Sequence, residues 1–112
     1  MTQSKLSESK IQSIIDQFSS GQLHKALESS LKLINDYPSE SLLLNIAGAC
    51  YAGLEKFDIA VEFYNKAIMI NPNYAKAHYN LGGALHELGQ LDESVKSYES
   101  SLLIEPDYAQ AY

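Results

Sequence analysis

The three prolines of this 112-residue chain stand at Pro38, Pro72 and Pro106, so both intervals are thirty-four residues. A spacing kept to the residue constrains the fold more than any other feature of the sequence. It requires repeated copies of one supersecondary unit, none able to bury its apolar face alone, stacked so that neighbours cover one another. The phrase Asn71-Pro72-Asn73-Tyr74-Ala75 returns as Glu105-Pro106-Asp107-Tyr108-Ala109 and marks where a unit begins. A proline cannot continue a helix, and the residues after the prolines, Ser39, Asn73 and Asp107, are of types that cap helix N-termini. Each pair is therefore expected to end one helix and cap the next.

Between these marks the sequence predicts helices in pairs. Residues 40–53 and 74–87 form the first members, with Gly48 and Gly82 again thirty-four apart, and residues 57–70 and 91–104 form the second. The second members carry matching apolar stripes, Phe57, Val61, Tyr64 and Ile68 against Leu91, Val95, Tyr98 and Leu102. That spacing describes one face of a helix. Leu23, Leu27, Ser30 and Ile34 give the same stripe with one polar residue, in a helix expected from Leu23 to Asn35. No strand-like alternation with hairpin signals occurs, so the chain reads as all-α.

The residues resemble the tetratricopeptide repeat, a helix–turn–helix of thirty-four residues with the pattern W-x2-L-G-x2-Y, A-x3-F, A and P. The second copy supplies Leu44, Ala47, Gly48, Tyr51, Ala60, Tyr64, Ala67 and Pro72; the third supplies His78, Leu81, Gly82, Leu85, Ser94, Tyr98, Ser101 and Pro106. The resemblance implies a right-handed superhelix, an α-solenoid of stacked repeats. Gly48 and Gly82, lacking a Cβ, let the two helices of a repeat approach closely. The chain is expected to be one domain, 1–112, with repeats at about 8–38, 39–72 and 73–106 and a partial fourth at 107–112. In the first copy Phe18 lies five residues before Leu23, whereas Tyr51 and Leu85 lie six before Phe57 and Leu91. A turn one residue shorter brings Ile11, Ile14, Ile15 and Phe18 into the packing phase; without it Lys10, Ser13 and Gln17 face the core. We expect the shortened turn. Residues 1–7 are polar and expected to fray. The final six residues are too few for an independent helix, and the natural chain is expected to continue beyond Tyr112.

Charge narrows the partners. The net charge is −6 and all eight cations are lysines. Arginine supplies bidentate phosphate and base contacts and a basic footprint supplies most nucleic-acid affinity, so nucleic acid and anionic membrane are both disfavoured. No apolar run is long enough for a membrane span and no secretory signal opens the chain. Cys50 alone allows no internal disulfide, and the default localisation is cytoplasmic.

No catalytic, cofactor-binding or metal site is expected, and the chain is read as not an enzyme. His86-Glu87-Leu88-Gly89-Gln90 begins like a zinc-protease helix, but Gln90 stands where the second imidazole is needed. His78 takes a slot where the family places a large packing residue, and His24 reads as solvated. Cys50 reads as a small buried hydrophobe. Gly82-Gly83 follows no strand and lacks the lysine of a phosphate loop. Tyr51, Tyr64 and Tyr98 take repeat core slots; Tyr79, Tyr108 and Tyr112 are left for the surface.

The family's concave groove, lined by first helices, implies a non-catalytic protein-interaction scaffold that binds a peptide or partner segment. Residues one step off the packing phase would line it: Lys76, Tyr79, Asn80, Gly83, His86 and Glu87 in the third copy, Leu42, Asn45, Ala49 and Ala52 in the second, and Ser9, Gln12 and Asp16 in the first. Ala49 and Gly83 leave room for a ligand backbone, Asn45 and Asn80 suit its amides, and Tyr79 offers a rigid face. The bland reading of the same residues is an ordinary solvated helix face. Co-chaperones of the family clamp a terminal carboxylate with several cations; here Lys76 is the only one, opposed by Asp16, so that mode is disfavoured. The run Pro72-x-x-Ala75-x-Ala77-x-x-Asn80-Leu81-Gly82 resembles repeats ahead of O-linked N-acetylglucosamine transferase domains, where an asparagine ladder holds the substrate backbone. Asn80 matches that ladder, but Ile46 holds the equivalent place in the second copy. The alternative function is therefore a recruiting arm of a larger glycosyltransferase, sulfotransferase, methyltransferase or oxygenase. Finally, Leu91, Val95, Tyr98 and Leu102, with Tyr108 and Tyr112, are expected to support a homodimer through the C-terminal end.

Overall fold

A computed structural model describes residues 7–107. Six helices follow one another: α1 (Glu8–Ser19), α2 (Leu23–Asp36), α3 (Ser41–Gly53), α4 (Phe57–Ile70), α5 (Ala75–Glu87) and α6 (Leu91–Ile104). Each packs chiefly against its neighbours in sequence, and α3 also touches α5. The result is an all-α solenoid in which α1, α3 and α5 are the first members of three pairs. The expected partial fourth repeat lies, apart from Asp107, outside the described residues, as do residues 1–6.

The turns inside the pairs correct the sequence reading. In all three, the same hydrogen bonds recur at thirty-four-residue intervals. Lys56 N–H donates to the Tyr51 carbonyl and Glu55 N–H to that of Ala52; Gln22 and Gly21 do the same to Gln17 and Phe18, and Gln90 and Gly89 to Leu85 and His86. This paired pattern is the Schellman motif, whose penultimate residue adopts left-handed backbone. Gly21, Glu55 and Gly89 have φ of 84°, 63° and 80°. The first turn is therefore not shortened, and the register of α1 is the unshifted one. Its polar positions nevertheless stay out of the buried core. Lys10 and Ser13 face outward, and Gln17 is half-buried with its Oε1 accepting from Ser29 Oγ at 3.3 Å. Of the four apolar residues expected to pack, Ile14 is fully buried, Ile11 is half-buried, and Ile15 and Phe18 remain partly open.

The turns between pairs hold a second correction. Ser39 and Asn73 do not cap helices; α3 and α5 are preceded by Glu40 and Tyr74, neither making a side-chain cap bond. Pro38 and Pro72 instead occupy the second place of four-residue turns closed by Glu40 N–H to the Tyr37 carbonyl and Tyr74 N–H to that of Asn71. Proline's fixed φ suits that place, and small polar residues suit the next. His78 Nε2 donates to the Pro72 carbonyl at 2.9 Å and ties the second of these turns to α5.

Within each pair, separation is set by what faces the small residue of the first helix. A Cβ on Gly48 would lie 2.6 Å from the Tyr64 ring, and one on Gly82 would lie 2.9 Å from the Tyr98 ring. The first pair exchanges the sizes: Ile14 stands at the glycine's position and Ser30 at the tyrosine's, and both are fully buried. In the third pair two hydroxyls cross between helices, Ser94 Oγ donating to the Gly82 carbonyl at 2.7 Å and Ser101 Oγ to that of Ala75 at 3.0 Å. Phe57, Val61 and Ile68 of α4 pack with Leu81 and Leu85 of α5, joining the second pair to the third.

These contacts order three alanine substitutions. Gly48→Ala gains about 1 kcal/mol of helix propensity but forces a methyl into the Tyr64 ring, which is 2% exposed and cannot yield. Overpacking of that kind costs about 1–3 kcal/mol, so the variant should be less stable than wild type. Gly82→Ala should lose less, because Tyr98 is only half-buried. Gly83→Ala meets only the Tyr98 hydroxyl at 3.6 Å and should melt at or above wild type. Thermal melts followed by circular dichroism check the order; equal melts for Gly48→Ala and Gly83→Ala would contradict the close approach.

Candidate functional site

The three first helices converge on one hollow of about 360 Å³. α1 contributes Ile15, Phe18 and Ser19; α3 contributes Leu42, Asn45, Ile46 and Ala49; Lys76 and Asn80 of α5, with Tyr74 just before it, close the third side. Leu42, Ile46 and Ala49 recur on α3 at the spacing of one helical face, which is why a single helix presents all of them together.

A polar relay runs through this hollow. Asn80 Nδ2 donates to Asn45 Oδ1 at 3.2 Å, and Asn45 Nδ2 donates to the Tyr74 hydroxyl at 3.4 Å. Asn45 is 4% exposed, so its amide is spent on neighbours within the protein rather than on a ligand. Asn80 is half-buried, and its amide orientation is set by Asn45. Lys76 is exposed and, among the described residues, is the only charged one lining the hollow.

Of the residues proposed from sequence, Leu42, Asn45, Ala49, Lys76 and Asn80 come together here. Tyr79, Gly83 and His86 do not line the hollow. Tyr79 packs against Tyr98, ring centroids 5.4 Å apart, and Gly83 lies beside the Tyr98 hydroxyl. His86 is exposed in the last turn of α5. These three stand one repeat beyond Asn45, Ala49 and Ala52, with no further first helix opposite them among the described residues. The proposed first-copy residues Ser9, Gln12 and Asp16 lie along a separate dip lined by polar residues of α1 and the turn after it, where Gln12 Nε2 donates to Asp16 Oδ1 at 2.9 Å. Asp16 therefore does not line the hollow opposite Lys76. The residues missed were Tyr74, which precedes α5 and had no groove signal, and Ile15, Phe18, Ser19 and Ile46. The last four lie thirty-four or sixty-eight residues before Gly83, His86, Glu87 and Asn80, so the unshifted register marks them.

Behind the hollow, Cys50 sits in the core with Ile14, Ala26 and Leu43. Burial pushes its thiol up from 9.0 to about 11. Burial also raises the Tyr64 hydroxyl, and the charge of an ionised Cys50 would raise it further. A buried thiol kept neutral in this way is a packing group rather than a nucleophile.

A sequence profile described as "TPR repeat" matches residues 49–89, and one described as "Tetratricopeptide repeat" matches residues 75–108. The heat shock protein STI1 of Saccharomyces cerevisiae is 36% identical over 76 residues, which is 66% of this chain and 13% of that protein. The first TPR domain of Spaghetti (RPAP3), solved with the HSP90 peptide SRMEEVD, superposes with a TM-score of 0.84 at 28% identity, covering 88% of this chain and 78% of that one. The second TPR domain of human RPAP3, solved with the HSP70 peptide SGPTIEEVD, gives 0.81 at 28% identity, over 88% and 82%.

The raised thiol pKa carries a sign. The folded state holds the Cys50 proton more tightly than the unfolded chain, so this contribution to stability is full below pH 9.0 and is lost as pH rises toward about 11. Urea midpoints measured from pH 7 upward should fall more steeply in wild type than in Cys50→Ala once pH passes the unfolded value. Parallel slopes would remove the thiol from the account.

Proposed function

Because the chain belongs to the tetratricopeptide repeat family, we propose that it is a protein-interaction module that holds a peptide or partner segment in the hollow between α1, α3 and α5. The observation that carries this reading is the hollow itself: three first helices meet around a mostly apolar concavity with an oriented asparagine at its edge. Concave, largely apolar sites with a few placed polar groups are where ligands bind. The RPAP3 domains, solved with bound peptides, support it by shared fold. The module works by binding alone. Tyr79, Gly83 and His86 continue the same side of α5 and are assigned to the far end of a longer ligand.

Peptides selected from a phage-displayed random library against the chain provide the test. Ala49→Trp, which fills the hollow, should weaken selected peptides about tenfold or more, the scale expected when an anchor loses its pocket. Asn80→Ala should weaken them less and melt lower, because it takes the donor from the buried Asn45 Oδ1, whereas Ala49→Trp should melt close to wild type. Titration calorimetry reads the affinities. Selected peptides indifferent to Ala49→Trp would place binding elsewhere.

We also propose self-association through α6. Leu91 and Val95 are 55% and 53% exposed, whereas their counterparts Phe57 and Val61 are packed against the next pair. Tyr108 and Tyr112 lie outside the described residues. Light scattering across a dilution series should show dimers that Val95→Lys disperses; a strict monomer at high concentration would remove the idea.

A further inference from the structure

We propose that the hollow selects one bulky apolar side chain from within a partner segment, with an adjacent acidic residue pairing to Lys76. This rests on the reading above that the hollow takes a peptide, and it names what that peptide carries. Ile15 and Phe18, 38% and 37% exposed, face the hollow together with Leu42 and Ile46. A single half-exposed apolar side chain is ordinary, but four around one concavity form an anchor pocket. At about 360 Å³ the space stands at the small end of ligand sites, about 300–1,000 Å³, so it suits one large side chain and its flanking backbone rather than a helix.

The polar edge defines the neighbour of that side chain. Asn80 keeps an amide oxygen and a second N–H beyond the bond it makes to Asn45, enough to pair with one peptide unit. Among the described residues Lys76 is the only charge lining the hollow, so a carboxylate beside the anchor meets a cation and none of their acids there. The chain's net charge of −6 repels an acidic segment at long range, but charges more than about 8 Å away are largely screened at physiological salt, and the local pair decides. One lysine satisfies one side-chain carboxylate; it does not make the several-cation clamp that a free chain terminus requires.

The test uses the 112-residue chain and fluorescein-labelled, C-terminally amidated nonapeptides of glycine and serine. Their central residue is Leu, Phe or Ala, and the adjacent residue is Glu or Lys. Fluorescence polarisation should show Leu or Phe binding about tenfold tighter than Ala, and Glu about threefold tighter than Lys. Lys76→Glu should reverse the second order and leave the first. Equal binding of Leu- and Ala-centred peptides overturns the proposal, as does a Glu preference that survives Lys76→Glu. So does about tenfold tighter binding when the C-terminal amide is replaced by a free carboxylate. If Ala49→Trp abolishes binding that shows neither preference, this inference falls while the hollow remains a peptide site. If Ala49→Trp leaves binding intact, or no peptide binds up to about 1 mM, both fall. Phe18→Ala, on a partly open side chain of α1, gives the same contrast should Ala49→Trp lower the melt.

Discussion

The separation of two helices at a glycine is the contact on which the rest of this solenoid depends. At Gly48 and Gly82 the backbone of a first helix lies against a tyrosine ring of its partner, closer than any side chain would allow. A tightly joined pair is a rigid plank, and rigid planks stack with a constant offset, which is how α3 and α5 come into contact across the intervening α4. That contact brings Asn45 within hydrogen-bonding reach of Asn80, and with α1 it encloses the hollow. Widening one pair would move every first helix relative to the next.

The first pair shows that this joint depends on summed volume rather than on glycine. Ile14 replaces the glycine and Ser30 the tyrosine, so the large side chain comes from the other helix. Ser30 satisfies its hydroxyl locally by donating to the Ala26 carbonyl at 2.7 Å, so the substitution leaves no orphaned donor in the core. Cores tolerate exchanges that conserve volume and satisfy polar atoms.

This exchange also explains which parts of the structure were legible in the sequence. The second helices were readable to the residue at α4 and α6, because their apolar stripes repeat and a helix face has a definite period. α1 misled, because aligning it by apolar residues places Phe18 against Tyr51, whereas the chain aligns it by Gly21 against Glu55 and Gly89 in the left-handed turn position. A one-residue slip turns a helix by about 100°, enough to carry Ile15 and Phe18 off the hollow and put Gln12 and Asp16 there instead. Backbone conformation was the stronger signal, and Gly21 carried it. The burial of Asn45 had no signal in its own repeat; it depends on Tyr74 and Asn80, which lie beyond Pro72.

A regular backbone with irregular side chains has a further consequence for binding. Thirty-four-residue symmetry makes α1, α3 and α5 equivalent in position, yet the hollow between them is not symmetric. Its α1 and α3 sides offer Ile15, Phe18, Leu42 and Ile46, while its α5 side offers Asn80 and Lys76. The exchange of Ile46 for Asn80 at equivalent places creates this gradient, and the Asn45 amide anchors its polar end. A segment lying across the helices would therefore meet apolar surface first and hydrogen-bonding groups second. Reversing its direction would set its polar atoms against Phe18 and Ile15. Burying an unpaired amide costs on the order of 1–3 kcal/mol, which favours one orientation by a factor of about 5 to 150.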